Sequence, residues 1–338
     1  MLTRDIPISV LDLAPIVVGG TAADSFRNTL DLARHAEQWG YHRYWLAEHH
    51  NMPGIASSAT SLVIGYVASG TQKIRVGSGG IMLPNHAPLV IAEQFGTLES
   101  MYPGRIDLGL GRAPGSDQPA ARALRRGLGS DGNDFPELLS ELRAFLDNTP
   151  EARPVGVRAI PGEGLSIPIW LLGSSGFSAQ LAGHLGLPFA FASHFAPDYL
   201  LPALDLYRSS FRPSESLDKP YAMIGLNIIA ADTDAEARKL ATSQEQQFLN
   251  LIRGRTGPLN PPVDSMDALW NLQEEAHIRK QLSYTITGNK ATVQEKLQQV
   301  LQDTGADEII VSAQIYEHKA RLRSYQYLAE LVKAGDHA

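Results

Sequence analysis

The 338-residue chain predicts an α/β fold, a (β/α)8 TIM barrel with insertions after strand 4 and between strands 7 and 8. Three observations lead there. Short apolar runs alternate with helix-period segments, the spacing of parallel strands joined by crossover helices. The strand-like runs number eight, the count that closes such a barrel. Glycine, serine, histidine and acidic residues gather where those runs end, which is where barrels of this kind do their chemistry.

The first strand is 6–13, within IPISVLDLAPIV. A helix follows over 24–40, with Phe26, Leu30, Ala33 and Ala36 on one stripe and Gly40 as its stop. RYWLAEH gives strand 43–49, and residues 57–70 give a helix ending at Gly70. IRVGSGGIML gives strand 74–82, interrupted by glycines, then a helix over 87–101 and a strand over 105–111. The stretch 113–166 breaks the rhythm with one helix, 134–147, and a Pro/Gly-rich run, and is read as an insertion. Alternation resumes with strand 168–173, helix 176–186, strand 188–193, helix 197–211 and strand 221–231. About 75 residues then separate the last two strands, more than one crossover helix requires. They hold helical runs at 233–252, 264–282 and 289–303, and 253–285 is read as an excursion over the barrel mouth. Strand 307–313 and helix 316–334 complete a single domain spanning 1–338.

Hydrophobic residues make up 43% of the chain, enough for one large core. The net charge of −7 excludes a basic nucleic-acid face, and without cysteine there is no disulfide, thiolate site or thiol nucleophile. No run of 18 uncharged apolar residues marks a membrane span, and Arg4, Asp5, Pro7, Asp12 and Pro15 interrupt the N-terminal stretch where a signal peptide would be clean. A cytoplasmic protein is expected.

In WLAEHHN (45–51) two histidines close a strand. Strand side chains alternate in direction, so only one of His49 and His50 serves a given site. The other strand ends bring Ala14, Gly79, Gly80, Gly111, Arg112, Gly173, Ser174, Ser175, Ser193, His194 and Asn227 to the same face. A metal reading would draw on Glu48, His49 or His50, and His194. It lacks an HxH pair on the first strand and an Asp on the last, so no metal is expected and His50 is read as a hydrogen-bonded loop residue. LLGSSGFSAQLAG (171–183) is a strand, a Gly/Ser turn and a helix start. Free backbone N–H groups, the hydroxyls of Ser174, Ser175 and Ser178 and the helix dipole make a phosphate cradle, to which Arg112 adds a charge-assisted contact. The pair Gly79–Gly80 marks a bulge or a close backbone approach to a flat ligand. GLGRAPG (109–115) is not a dinucleotide fingerprint, since its third glycine falls one place late behind Pro114.

Four motifs, WLAEHHN (45–51), VGSGGIMLPNHAPLVIAEQ (76–94), YPGRIDLGLGRAPGSD (102–117) and PIWLLGSSGFSAQLAGHLGLP (168–188), together resemble the bacterial luciferase-like flavin monooxygenases, in particular the alkanal-monooxygenase-like group. The resemblance covers nearly the whole chain. It implies that His49 is the active-site histidine and that Gly79 and Gly80 are joined by a cis peptide beneath the flavin ring. Arg112, Gly173, Ser174, Ser175, Gly176 and Ser178 would hold the flavin phosphate, with Ala14 and Gly111 completing the cofactor site. Luciferase has an acidic residue at the place of Ser174 and a reactive cysteine at the place of Gly111, so no thiol role carries over. The implied reaction uses reduced FMN from a separate flavin reductase, and O2, on a small-molecule substrate such as an aldehyde. The alternatives are an F420-dependent oxidoreductase on the same fold and a non-catalytic flavin binder. Relatives of this kind pair through barrel helices, so a homodimer is expected.

Overall fold

The apolar runs close into a ring of strands in the computed structural model, which describes residues 6–113, 118–124, 132–149 and 156–333. The strands are β1 (Ile8–Asp12), β2 (Arg43–Leu46), β3 (Arg75–Ser78), β4 (Ile81–Met82), β5 (Ile106–Gly111), β6 (Ile169–Gly173), β7 (Phe189–Phe191), β8 (Ala222–Ala230), β9 (Ile286–Gly288) and β10 (Glu308–Ser312). Eight of them form the barrel in the order β10-β1-β2-β3-β5-β6-β7-β8, and β8 pairs with β10 to close it. Every pairing is parallel, and the short β4 and β9 pair with β5 and β8. Closure leaves no barrel edge to protect.

The helices are α1 (Ala22–Gln38), α2 (Thr60–Ser69), α3 (Pro88–Met101), α4 (Gln118–Leu124), α5 (Phe135–Leu146), α6 (Gly176–Leu185), α7 (Leu200–Ser210), α8 (Asp234–Ile252), α9 (Leu272–Gln281), α10 (Lys290–Thr304) and α11 (His318–Lys333). Their ends follow local chemistry. Thr21 and Asp24 form a capping box at α1, Asn271 and Glu274 form another at α9, and Asn289 caps α10. Among the described residues no helix is long and apolar enough to cross a membrane.

Strand alternation divides the core in two. Outward residues such as Val10, Tyr44, Val76, Leu108, Ile224 and Ile309 pack against the helices. Inward residues Leu11, Trp45, Trp170, Ala190, Met223 and Ile310 fill the barrel. Burying each large side chain contributes about 1.5–3 kcal/mol. Below this layer lies a polar floor. Arg43 donates to Asp107 at 2.8 Å and to Glu308 at 2.9 Å, and Arg75, Trp45, Ser9 and Tyr221 bond the same two carboxylates.

The structure departs from the sequence reading in four places. Strand 74–82 is not continuous: β3 ends at Ser78, the Gly79–Gly80 peptide is cis, and the chain resumes as β4. Bare backbone permits the tight packing there, since a Cβ would stand 2.7 Å from Leu11 at Gly79 and 2.7 Å from the Gly109 carbonyl at Gly80. Strand 188–193 is only three residues, β7. The helical run 264–282 is helical only over α9, because Ser265 and Asn271 hold the chain in turns before it. β9 was not foreseen at all. Helix 134–147 of the first insertion appears as α5, while residues 114–117, 125–131 and 150–155 of that insertion lie outside the described residues.

The second excursion lies against the C-terminal ends of the strands. Leu259 bonds Ile16 and Val18 in the loop after β1, and Gly54 after β2 packs on the Gly257 carbonyl. Lys280 of α9 pairs with Asp198 after β7 at 2.8 Å. Phe248, Leu249, Met266, Trp270 and Ile278 give the excursion its own small core.

Candidate active site

The inward face that carries Arg43, Trp45 and Ala47 reaches His49 two residues on. His50, one place further, points the other way. Its Nε2 donates to Glu48 Oε1 at 2.7 Å, in the loop role expected of it. His86 donates to the same oxygen at 2.8 Å, and the Met82 N–H donates to Oε2 at 3.0 Å. Burial alone would raise the Glu48 pKa. The His86, His50 and Met82 hydrogen bonds outweigh it and hold the carboxyl below its usual range. Glu48, His50 and His86 are metal-ligand types with donor atoms within 4.8 Å, but both imidazoles share one carboxylate oxygen. The arrangement is a hydrogen-bonded clamp that ties the end of β2 to the start of β4.

The His49 Nδ1 is buried and has no partner among the described residues. Burial pushes its pKa down to about 4, with Glu48 opposing and His50 adding to the shift. The ring is therefore neutral at pH 7 and can accept a proton.

The neighbouring strand ends carry glycine and alanine, packed tightly against protein atoms. The cis Gly79–Gly80 peptide ends β3, and at Gly111 a Cβ would lie 2.9 Å from Met82 Sδ. Ala14, fully buried, takes a left-handed conformation with φ 48°. Its N–H donates to Asp12 Oδ1 at 2.8 Å. Asp12 also accepts from Arg321 at 2.7 Å, Tyr44 at 2.5 Å and Thr29 at 2.7 Å. Burial would raise its pKa, yet the Arg321 charge and these hydrogen bonds hold it below the usual carboxylate range.

At the next strand end, Gly173 closes β6, Ser175 is the N-cap of α6, and Gly176 begins the helix. Ser174 is exposed, Ser175 half-buried, and Ser178 buried against Gly173. Ser175 makes no capping hydrogen bond and no acidic residue lies in the first turn, so the helix's leading N–H groups are left for another acceptor. The Arg112 guanidinium lies 4.5 Å over the ring of Phe177 and so stands at this helix start. Dipole, hydroxyls and guanidinium fit a phosphate.

The family model described as luciferase-like monooxygenase matches residues 7–328. The chain belongs to this family. It is 57% identical to the luciferase-like monooxygenase of Escherichia coli (strain K12) over 96% of this chain and 97% of that one. It is 35% identical to the N-acetyl-S-alkylcysteine monooxygenase of Bacillus subtilis (strain 168), over 98% and 99% of the two chains. The crystal structure of apo-MsnO8 superposes with a TM-score of 0.86 at 33% identity, covering 97% of this chain and 98% of that one.

Sequence reasoning missed Asp12 and Arg321, which fix Ala14, and gave His86 no role. An aspartate inside the apolar run IPISVLDLAP was the available signal. His194 entered the sequence reading as a strand-end residue and as a ligand in the metal reading that was set aside.

Proposed function

We propose that the protein is an FMN-dependent monooxygenase that uses reduced FMN, delivered by a separate flavin reductase, and O2 to oxidise a small organic substrate. The observation that carries this reading is Arg112, stacked on Phe177 at the uncapped start of α6. Arg112, Ser174, Ser175 and Ser178 would hold the phosphate together with the leading N–H groups of α6. Ala14, Gly79, Gly80 and Gly111 would set bare or nearly bare backbone against the ring, and Gly173 would belong to the turn that holds the phosphate. Bound reduced flavin supplies the electrons that activate oxygen. His49 remains neutral in its buried setting and accepts or returns a proton at its unpartnered Nδ1. The apolar barrel layer below and the 253–285 excursion above keep water from the reacting atoms.

Family membership and the phosphate cradle support this reading, and the cradle would also accept F420. Titration of the purified protein with FMN, reduced FMN and F420 separates the two. Oxygen uptake is then measured with reduced FMN over aldehydes, ketones and N-acetyl-S-alkylcysteines. His49→Ala is expected to lower substrate-coupled oxygen use at least tenfold while retaining FMN. Equal behaviour of the two proteins would leave a flavin binder without this catalytic residue.

We also propose that two copies pair through the outer faces of α2 and α3. Leu62 (75% exposed) and Tyr66 stand on one stripe of α2, and Val90 and Met101 on one stripe of the neighbouring α3.

A further inference from the structure

Two imidazoles face the barrel mouth. His194 lies in the turn after β7, whose Ala190 faces inward, and its ring lies over β8 at Gly225. A Cβ on Gly225 would stand 2.4 Å from His194 Nδ1, so the glycine makes the ring's place. In the ring order, β2 and β7 are four strands apart, which sets His194 across the mouth from His49. The residue is held from behind. Asn227 Nδ2 donates to its carbonyl at 2.5 Å, and Phe195 meets its ring edge-on with centroids 4.8 Å apart. Yet its Nδ1, like that of His49, is buried without a partner. Nδ1 packs against the Gly225 backbone, which leaves Nε2 as the ring nitrogen that a bound group can reach.

We propose that His194 is a substrate-binding residue, which hydrogen-bonds an uncharged, hydrogen-bond-accepting atom at the reacting end of the organic substrate from the wall opposite His49. The inference rests on the monooxygenase reading and deepens it. Burial, and next the charge of His49, push the His194 pKa down to about 4, so both rings are neutral at pH 7 and each offers one N–H and one lone pair. The neighbouring inward residues, Leu13, Ala47, Leu172, Ala190 and Gly225, carry no charge. Glu48 is occupied by His50, His86 and Met82. A charged group placed between the two imidazoles would find no counter-charge there, and an uncharged one finds a donor.

The test compares 2-octanone with 2-methyl-1-octene, which share a shape and differ in one acceptor. Trp45 and Trp170, inside the barrel, report binding by fluorescence with or without FMN. Wild type is expected to bind the ketone at least about tenfold more tightly than the alkene. His194→Phe should erase that preference and His194→Gln should keep part of it. FMN affinity should stay within about twofold in both, and His49→Phe should leave the preference in place. A wild type without the preference, including one that binds neither probe, overturns the proposal. So does a preference that survives His194→Phe or is lost instead in His49→Phe. Failure of the wild type to bind FMN, read in its own titration, contradicts the monooxygenase reading while the ketone preference is still measured.

Discussion

At the scale of single residues, the site turns on which side chains are left unpaired. His49 and His194 both have pKa values near 4, against about 6.5 in an unfolded chain. Between those values the unfolded chain binds protons that the folded one does not, so the contribution is whole above about pH 6.5 and is lost as pH falls towards 4. Each shift is worth roughly 3 kcal/mol at most. Urea unfolding of wild type should weaken across that window, and His49→Phe and His194→Phe should each flatten the slope; an unchanged slope in both would contradict the buried neutral rings. The strand period said only that one of His49 and His50 could serve the site, and the family resemblance pointed to His49. The Asp12–Arg321 pair was not legible, because its members are 309 residues apart and nothing local announces the contact. Asp12→Asn would leave Arg321 buried without a counter-charge. The expected loss is about 3–5 kcal/mol of stability, measured by denaturant unfolding, and a loss below 1 kcal/mol would show that the pair is not needed.

At the scale of elements, alternation of apolar runs and amphipathic helices made the eight barrel strands readable, since each is long enough to show its period or is bounded by turn residues. The failures share a cause. β9 is three residues long, too short for any period, and it pairs only with the far end of β8. The break between β3 and β4 lies in a glycine pair that sequence alone reads equally as bulge or strand. The clamp of Glu48, His50 and His86 spans that break and joins β2 to β4. The candidate phosphate turn was the most legible part of the site, because a strand, a Gly/Ser turn and a helix start are contiguous in sequence, whereas the stacking of Arg112 on Phe177 crosses 65 positions.

At the scale of the whole molecule, an apolar outer stripe on α2 and α3 remains uncovered on the isolated chain. Native mass spectrometry should find a dimer, and Leu62→Glu should shift it to monomer with little change in FMN affinity; a monomeric wild type would remove the proposed pairing. The central claim is that the ends of β1, β2, β3, β5 and β6 converge on one mononucleotide, gripped at its phosphate by Arg112 and the start of α6. A charge-assisted pair of this kind contributes about 1.5–3 kcal/mol, or roughly 10–100-fold in affinity. The most direct measurement is therefore a fluorescence titration of FMN into wild type and Arg112→Met. The account predicts one FMN per chain and a Kd raised at least tenfold by the substitution; a wild type that does not bind FMN, or a variant that binds it equally well, would contradict it.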